Sequence, residues 1–66
     1  MNNEKILYLC KIEIIRLMKT FQLIDDDIIN DYLTISYMNC VKWYEKGNEI
    51  NNRIIKIFVK RAMFLK

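Results

Sequence analysis

The chain has 66 residues, a formal net charge of +3, two cysteines, one glycine, and neither histidine nor proline. A chain of this length is near the lower size limit for independent folding, which excludes more than one domain. Because turn-forming proline and glycine are almost absent, the composition favours long helices over hairpins. We expect a single helical domain over residues 1–66, with helices at about 4–21, 27–46 and 49–65.

The first predicted helix carries apolar side chains at alternating spacings of three and four residues, a pattern typical of one helix face. A second apolar ridge on this helix, formed by Tyr8, Ile12 and Ile15, lies to one side of that face and is expected to be exposed. The predicted core stripe of the first helix comprises Leu7, Cys10, Ile14, Leu17 and Phe21.

Three consecutive aspartates, residues 25–27, separate the first helix from the second. One of them is expected to cap the second helix, and the others favour its positive N-terminal end. Gly47 follows this helix at the position where a left-handed C-terminal cap is expected. The predicted core stripe of the second helix comprises Ile29, Leu33, Ser36, Cys40 and Trp43.

The third predicted helix is expected to be capped by Asn48 and to be the basic element of the chain. Residues 48–66 hold five cations against Glu49 alone, whereas residues 21–47 hold five acids against two lysines. The predicted core stripe comprises Ile50, Ile54, Phe58, Ala62 and Leu65. Four further apolar residues, Ile57, Val59, Met63 and Phe64, fall outside this stripe. A basic ridge opposite the stripe comprises Arg53, Lys56 and Lys60.

The first two stripes match one another when the chain is folded back at Asp25. Residues equidistant from that turn then pair, so that Leu17 faces Leu33 and Cys10 faces Cys40. The same operation about Asn48 pairs Trp43 with Ile54. We therefore predict an all-α fold, a small antiparallel three-helix bundle that oligomerises. A two-helix hairpin with a swinging or swapped third helix is the alternative.

Catalytic chemistry is not expected. A cysteine nucleophile lacks a histidine to activate it, and no glycine-rich loop is present to hold a phosphate. Cys10 and Cys40 are interpreted as small buried side chains, although their level in the core also suits a disulfide. Asp27 and Asp31 share a helix face suited to a divalent cation, but we interpret them as a cap and first turn. We predict no enzyme activity, cofactor, metal or small-molecule substrate.

The expected function is that of an interaction module, either a homodimer or a subunit that docks on a larger protein. The apolar residues outside the core stripes supply the predicted interface. Its members are Tyr8, Ile12, Ile15, Ile57, Met63 and Phe64. One alternative is a nucleic-acid-binding accessory protein that uses Arg53, Lys56 and Lys60. A weaker alternative is attachment of the basic helix to an anionic membrane surface.

Apolar runs are too short for a membrane span, and the N-terminus does not resemble a signal peptide, so a cytoplasmic location is expected. The sequence resembles no family whose function it would share.

Overall fold

The computed structural model describes residues 2–22 and 24–64. Helix α1 runs Asn3–Thr20, α2 runs Asp26–Glu45 and α3 runs Asn52–Phe64, and each helix packs against the other two. The described residues contain no strand, which confirms the all-α prediction. The predicted ends of the first two helices differ from the observed ones by one residue. The third begins at residue 52 rather than at 49.

Side-chain caps and a glycine define the helix ends. The side chain of Asn2 accepts a hydrogen bond from the Lys5 amide at 2.8 Å at the start of α1. Asp25 is the aspartate that caps α2, since its carboxylate accepts from the Asp27 amide at 2.9 Å. Gly47 adopts a positive φ of 89° just beyond α2, as predicted. Only glycine adopts such a conformation without strain, so this residue ends the helix.

The predicted cap of α3 was wrong. Asn51, not Asn48, accepts a hydrogen bond from the Ile54 amide, at 3.0 Å. The side chain of Asn48 donates instead to the carbonyl of Trp43 at 3.2 Å, and the Trp43 indole donates to the carbonyl of Glu49 at 3.2 Å. The segment after α2 therefore folds over the end of that helix, and α3 starts later than the sequence pattern suggested.

The core of α1 is wider than the predicted stripe. Cys10, Ile14 and Leu17 are buried as predicted, and Ile6 and Met18 are buried beside them, whereas Leu7 and Phe21 are exposed. The physical reason is that α1 contacts both other helices, so it buries a wide arc rather than a narrow stripe facing one partner. Phe21 also lies beyond the last helical residue, where the chain turns away.

The buried residues of α3 also differ from its predicted core stripe. Ile55 and Val59 are buried, whereas Ile54 and Phe58, which were predicted to be core residues, are only partly buried. Val59 had been placed outside the core because the prediction assumed contact with α2 alone, but α3 also packs on α1. Ala62 is partly buried and Ile50 is buried as predicted, while the prediction for Leu65 lies outside the described residues.

On α2, Ile29, Ser36 and Cys40 are buried, Leu33 is partly buried, and Trp43 lies at the surface. The Trp43 ring contacts Phe58, with centroids 5.8 Å apart. The indole is held at the end of α2 by its hydrogen bond to Glu49, which keeps it at the edge of the core.

The centre of the core contains the two cysteines. Both are fully buried, their Sγ atoms are 3.8 Å apart, and neither forms a disulfide. The prediction that α1 and α2 bring these residues to one level is confirmed. The neighbouring Ser36 is also fully buried, and its hydroxyl donates to the Tyr32 carbonyl at 2.7 Å. This polar group is therefore satisfied within its own helix.

Candidate functional site

Only part of the predicted apolar ridge of α1 is exposed to solvent. Tyr8 is 62% exposed and Ile12 is 43% exposed, so both side chains are available to a partner. Ile15 is partly buried and packs against the core. The structure therefore retains two of the three ridge residues as surface groups, because the third is turned toward the interior.

The predicted interface residues of α3 also differ in their exposure to solvent. Ile57 and Phe64 are exposed, whereas Met63 is partly buried against the core. The ring of Phe64 meets the ring of Phe21 edge to face, with centroids 5.5 Å apart. This pair brings the C-terminal ends of α1 and α3 together and forms one wall of a groove.

That apolar groove has a volume of about 640 Å³ and opens to solvent. All three helices contribute to it, together with the turn between α1 and α2. Of the predicted interface residues, it brings Met63 and Phe64 together. Its described lining residues are Met18, Phe21, Gln22, Ile24, Asp25, Ile28, Tyr32, Met63 and Phe64.

A smaller cleft of about 150 Å³ lies between α1 and α3. It brings together Ile12, predicted as part of an apolar interface, and Lys56, predicted as part of a basic ridge. The sequence pattern gave no reason to combine them. The described lining residues of this basic cleft are Leu9, Ile12, Glu13, Asn52, Ile55 and Lys56.

Glu13 in the basic cleft is a functional candidate that the sequence analysis missed. Its side chain is buried, and its carboxylate accepts from Nε of Arg16 at 3.1 and 3.2 Å and also pairs with Nη2 of the same residue. The hydrogen bond with Glu13 raises the pKa of Arg16. A signal was present, because Ile6, Cys10, Glu13 and Leu17 follow the helical spacing of the core.

The outer face of α2 carries a second feature that the sequence analysis missed. Ile35 and Met38 are exposed on the side of α2 away from the buried Ile29 and Cys40, and the exposed Ile28, which also lines the apolar groove, continues their row toward the start of the helix. Polar residues lie between and after these apolar ones, and together they form a row at alternating spacings of three and four residues. We call this row the outer stripe. Its members are Ile28, Asp31, Ile35, Met38, Lys42 and Glu45. The spacing was readable, but the predicted core stripe had already been assigned to the opposite face.

The basic ridge of α3 is exposed at all three predicted positions, Arg53, Lys56 and Lys60. Arg61 adds a fourth cation, and its guanidinium lies 6.0 Å from the centroid of the Phe58 ring. No acidic residue lies within α3, so this helix presents an uncompensated positive surface.

The cysteine pair has the properties of packed thiols. The hydrogen bond with Cys40 and burial both raise the pKa of Cys10 far above its ordinary value. The same hydrogen bond lowers the pKa of Cys40, and burial opposes that change. Within 2–22 and 24–64, no three potential metal-ligating side chains are grouped, and no helix there is both long and apolar enough to cross a membrane.

No protein-family model, curated protein or solved structure matches this chain. The functional proposal therefore rests on the surface of the bundle.

Proposed function

We propose that the chain is a non-catalytic helical interaction module that binds protein through apolar side chains on the outside of the bundle. The observation that carries the proposal is the row formed by Ile28, Ile35 and Met38 along α2. Such residues are common singly on protein surfaces, but a row along one helix is typical of an interface. Tyr8 and Ile12 on α1 and the apolar groove add further apolar area.

The physical driving force is the removal of this apolar surface from water, at roughly 25 cal/mol for each Å² buried. A partner that places an apolar helix or side chain on the row would gain this free energy. Docking of an amphipathic helix is a recurrent use of such surfaces in helical proteins. The proposed interface retains Tyr8, Ile12, Ile57 and Phe64 and excludes Ile15, which supports the fold from within.

The proposal includes an antiparallel path for the three helices and residence in the cytoplasm. Cys10 on α1 and Cys40 on α2 meet although the two helices are joined by only a short segment, which favours an antiparallel α1 and α2. Contact between Phe21 and Phe64 favours the return of α3 alongside α1. Two adjacent thiols that remain unbonded suit a reducing compartment.

Nucleic-acid binding is a second candidate function, favoured by the four exposed cations of α3 and its lack of acids. Phosphate contacts release counterions, so affinity should fall steeply with salt. We expect an apolar protein interface to respond weakly to the same change. Fluorescence anisotropy with a labelled duplex and a labelled single strand, at roughly 50 and 200 mM salt, separates the two candidates.

The proposed function is tested by affinity capture with the wild type and with a variant in which Tyr8, Ile35 and Met38 are changed to Gln. All three positions are exposed, so circular dichroism should show unchanged helix content. Quantitative mass spectrometry then compares the bound proteins. A control in which the exposed polar residues Asn30, Thr34 and Lys46 are changed to Gln matches the number of substitutions.

The expected result is a stoichiometric protein, either a different chain or further copies of this one, that is retained by wild type and control and lost by the variant. Retention of the same proteins by all three would contradict the proposal. If adding nuclease removes the proteins that the wild type retains, the nucleic-acid candidate would be favoured instead.

A further inference from the structure

The outer stripe of α2 differs in charge from the rest of the bundle. Within Asp26–Glu45 there are four acids against Lys42 alone, and Asp25 adds a further acid at the start of the helix. Two of these acids, Asp31 and Glu45, lie within the outer stripe, beside Ile35 at 47% and Met38 at 51% exposure. The stripe is thus an exposed amphipathic face with three apolar and three charged side chains and a net charge of −1.

The face formed by α1 and α3 has the opposite charge. Asn3–Thr20 contains four cations and two acids, a net charge of +2, and the buried Glu13 pairs with Arg16 so that these two charges offset each other. Asn52–Phe64 contains four cations and no acid. Between these helices lies the basic cleft, whose lining includes Leu9, Ile12 and Lys56 together with Glu13, the acid that pairs with Arg16. This face is therefore also apolar at its centre but is basic at its margins.

A row of side chains on α1 extends the basic cleft along the bundle. Lys5, Leu9, Ile12 and Arg16 follow one another at spacings of four, three and four residues, so they share one helix face. The outer stripe of α2 has the same alternation of three and four. Two such rows can pack side by side along their lengths, because ridges of one helix fit the grooves of another at this spacing.

We propose that the outer stripe of α2 in one copy of this chain docks on the α1–α3 face of a second copy. The proposal rests on the proposed function and names its partner. Charge complementarity favours a second copy as the partner, since one molecule carries both the acidic apolar stripe and the basic apolar face. The two surfaces differ, so the contact is head to tail, and each added copy leaves one surface of each kind free.

The size of the molecule limits the strength of this contact. Its broad face measures 36 by 23 Å, and one helix row occupies only part of that face. The buried area is therefore below the ~800 Å² per partner of a standard protein interface. Association should accordingly be reversible and dependent on protein concentration and, because charges contribute, on salt.

Complementary variants test the head-to-tail arrangement. One variant, Ile35→Gln with Met38→Gln, impairs only the outer stripe. The other, Ile12→Gln with Lys56→Gln, impairs only the α1–α3 face. A control, Lys11→Gln with Asn30→Gln, changes exposed positions that belong to neither surface. Sedimentation velocity over a concentration series measures the association of each, and circular dichroism confirms that each is folded.

We expect the wild type and the control to associate, and each variant alone to dissociate, with a dissociation constant at least ~10-fold higher than that of the wild type. An equimolar mixture of the two variants should form a one-to-one complex, because each supplies the surface that the other lacks. This complex should not grow further, since both remaining surfaces are impaired.

Two outcomes overturn the inference. If the wild type associates but the mixed variants do not, or if one variant alone still associates as the wild type does, the contact is not head to tail between these two surfaces. If the wild type is monomeric throughout the series, a second copy is not the partner. Neither outcome removes the proposed function, because the capture experiment detects a foreign protein independently of self-association.

Discussion

The two faces of α2 show how one apolar pattern serves two purposes. On the inner face, Ile29, Ser36 and Cys40 are buried by α1 and α3. On the outer face, Ile35 and Met38 follow a similar helical spacing, but no other part of the described chain covers them. Helical periodicity therefore identifies a surface that is suited to packing, while the identity of its partner depends on the rest of the assembly.

The largest loss of stability should come from a substitution on α1, which packs against the inner face of α2. Ile14 is fully buried on α1, so Ile14→Ala should lower the free energy of unfolding by about 2–5 kcal/mol, through lost burial and the cavity left behind. Urea titration followed by circular dichroism measures this change. Leu33→Ala, at a partly buried position, should have a smaller effect. Equal effects at the two positions would contradict the observed difference in burial.

Asp25 caps α2, the helix that carries both the inner and the outer face. Asp25→Ala should lower the free energy of unfolding by about 1 kcal/mol, because it removes the acceptor for the amides of Asp27 and Ile28. The matched control is Asp26→Ala, which removes a carboxylate that makes no capping bond, and its effect should be smaller. Thermal unfolding of both variants ranks them, and a larger effect at Asp26 would contradict the assigned cap.

The thiol of Cys10 on α1, which packs against the inner face of α2 at Cys40, makes the stability of the fold depend on pH. Its pKa is raised in the folded state above the ordinary value of 9.0. Above that pH the unfolded chain releases the proton while the folded chain retains it, so the unfolded state is favoured. The stabilisation by this group is complete below the ordinary pKa and is lost as the pH rises. Unfolding of the wild type and of a variant in which both cysteines are changed to Ala, between about pH 8 and 10.5, should show a steeper decline for the wild type, because the large rise in the pKa of Cys10 outweighs the lowering at Cys40.

The two thiols should not take part in binding. We expect no disulfide between Cys10 and Cys40 in native protein under reducing conditions, and we expect the double serine variant to bind as the wild type does. Mass measurement after the free thiols of protein kept under reducing conditions have been alkylated tests the first expectation. Loss of binding by a folded double serine variant would show that the thiols do more than pack.

The smallest effect on stability should come from the outer face. Ile35→Gln should change the free energy of unfolding of the isolated monomer by no more than about 0.5 kcal/mol, because the side chain is already exposed. Dilute samples are needed, so that association does not contribute. A change as large as that of Ile14→Ala would show that Ile35 is part of the core, and the distinction between the two faces would fail.

The sequence predicted the helices and the centre of the core better than it predicted the surface. The level at which Cys10 and Cys40 meet followed from the position of the acidic turn, and Asp25 and Gly47 marked helix ends by their own chemistry. Leu7 and Val59 were misplaced because the width of a buried arc depends on how many helices surround it. That number is a property of the assembled bundle.

The candidate surfaces required the structure for the same reason. Ile12 and Lys56 belong to different helices and different residue classes, and only the packing of α1 on α3 places them in one cleft. The burial of Glu13 was obscured because an acidic residue is usually assigned to the surface. The outer stripe was readable from spacing, yet a choice between two opposite stripes on α2 needed the positions of α1 and α3.

Self-association through the outer stripe is tested by the dependence of the unfolding temperature on protein concentration. A folded state that associates is stabilised by mass action, so the midpoint rises with concentration. Over roughly a hundredfold range, we expect the wild-type midpoint to rise. Ile14→Ala should unfold at lower temperature but keep the rise, and Ile35→Gln with Met38→Gln should lose the rise while matching the dilute wild type. A wild-type midpoint that does not change with concentration, or a rise that persists in the outer-stripe variant, would contradict the account.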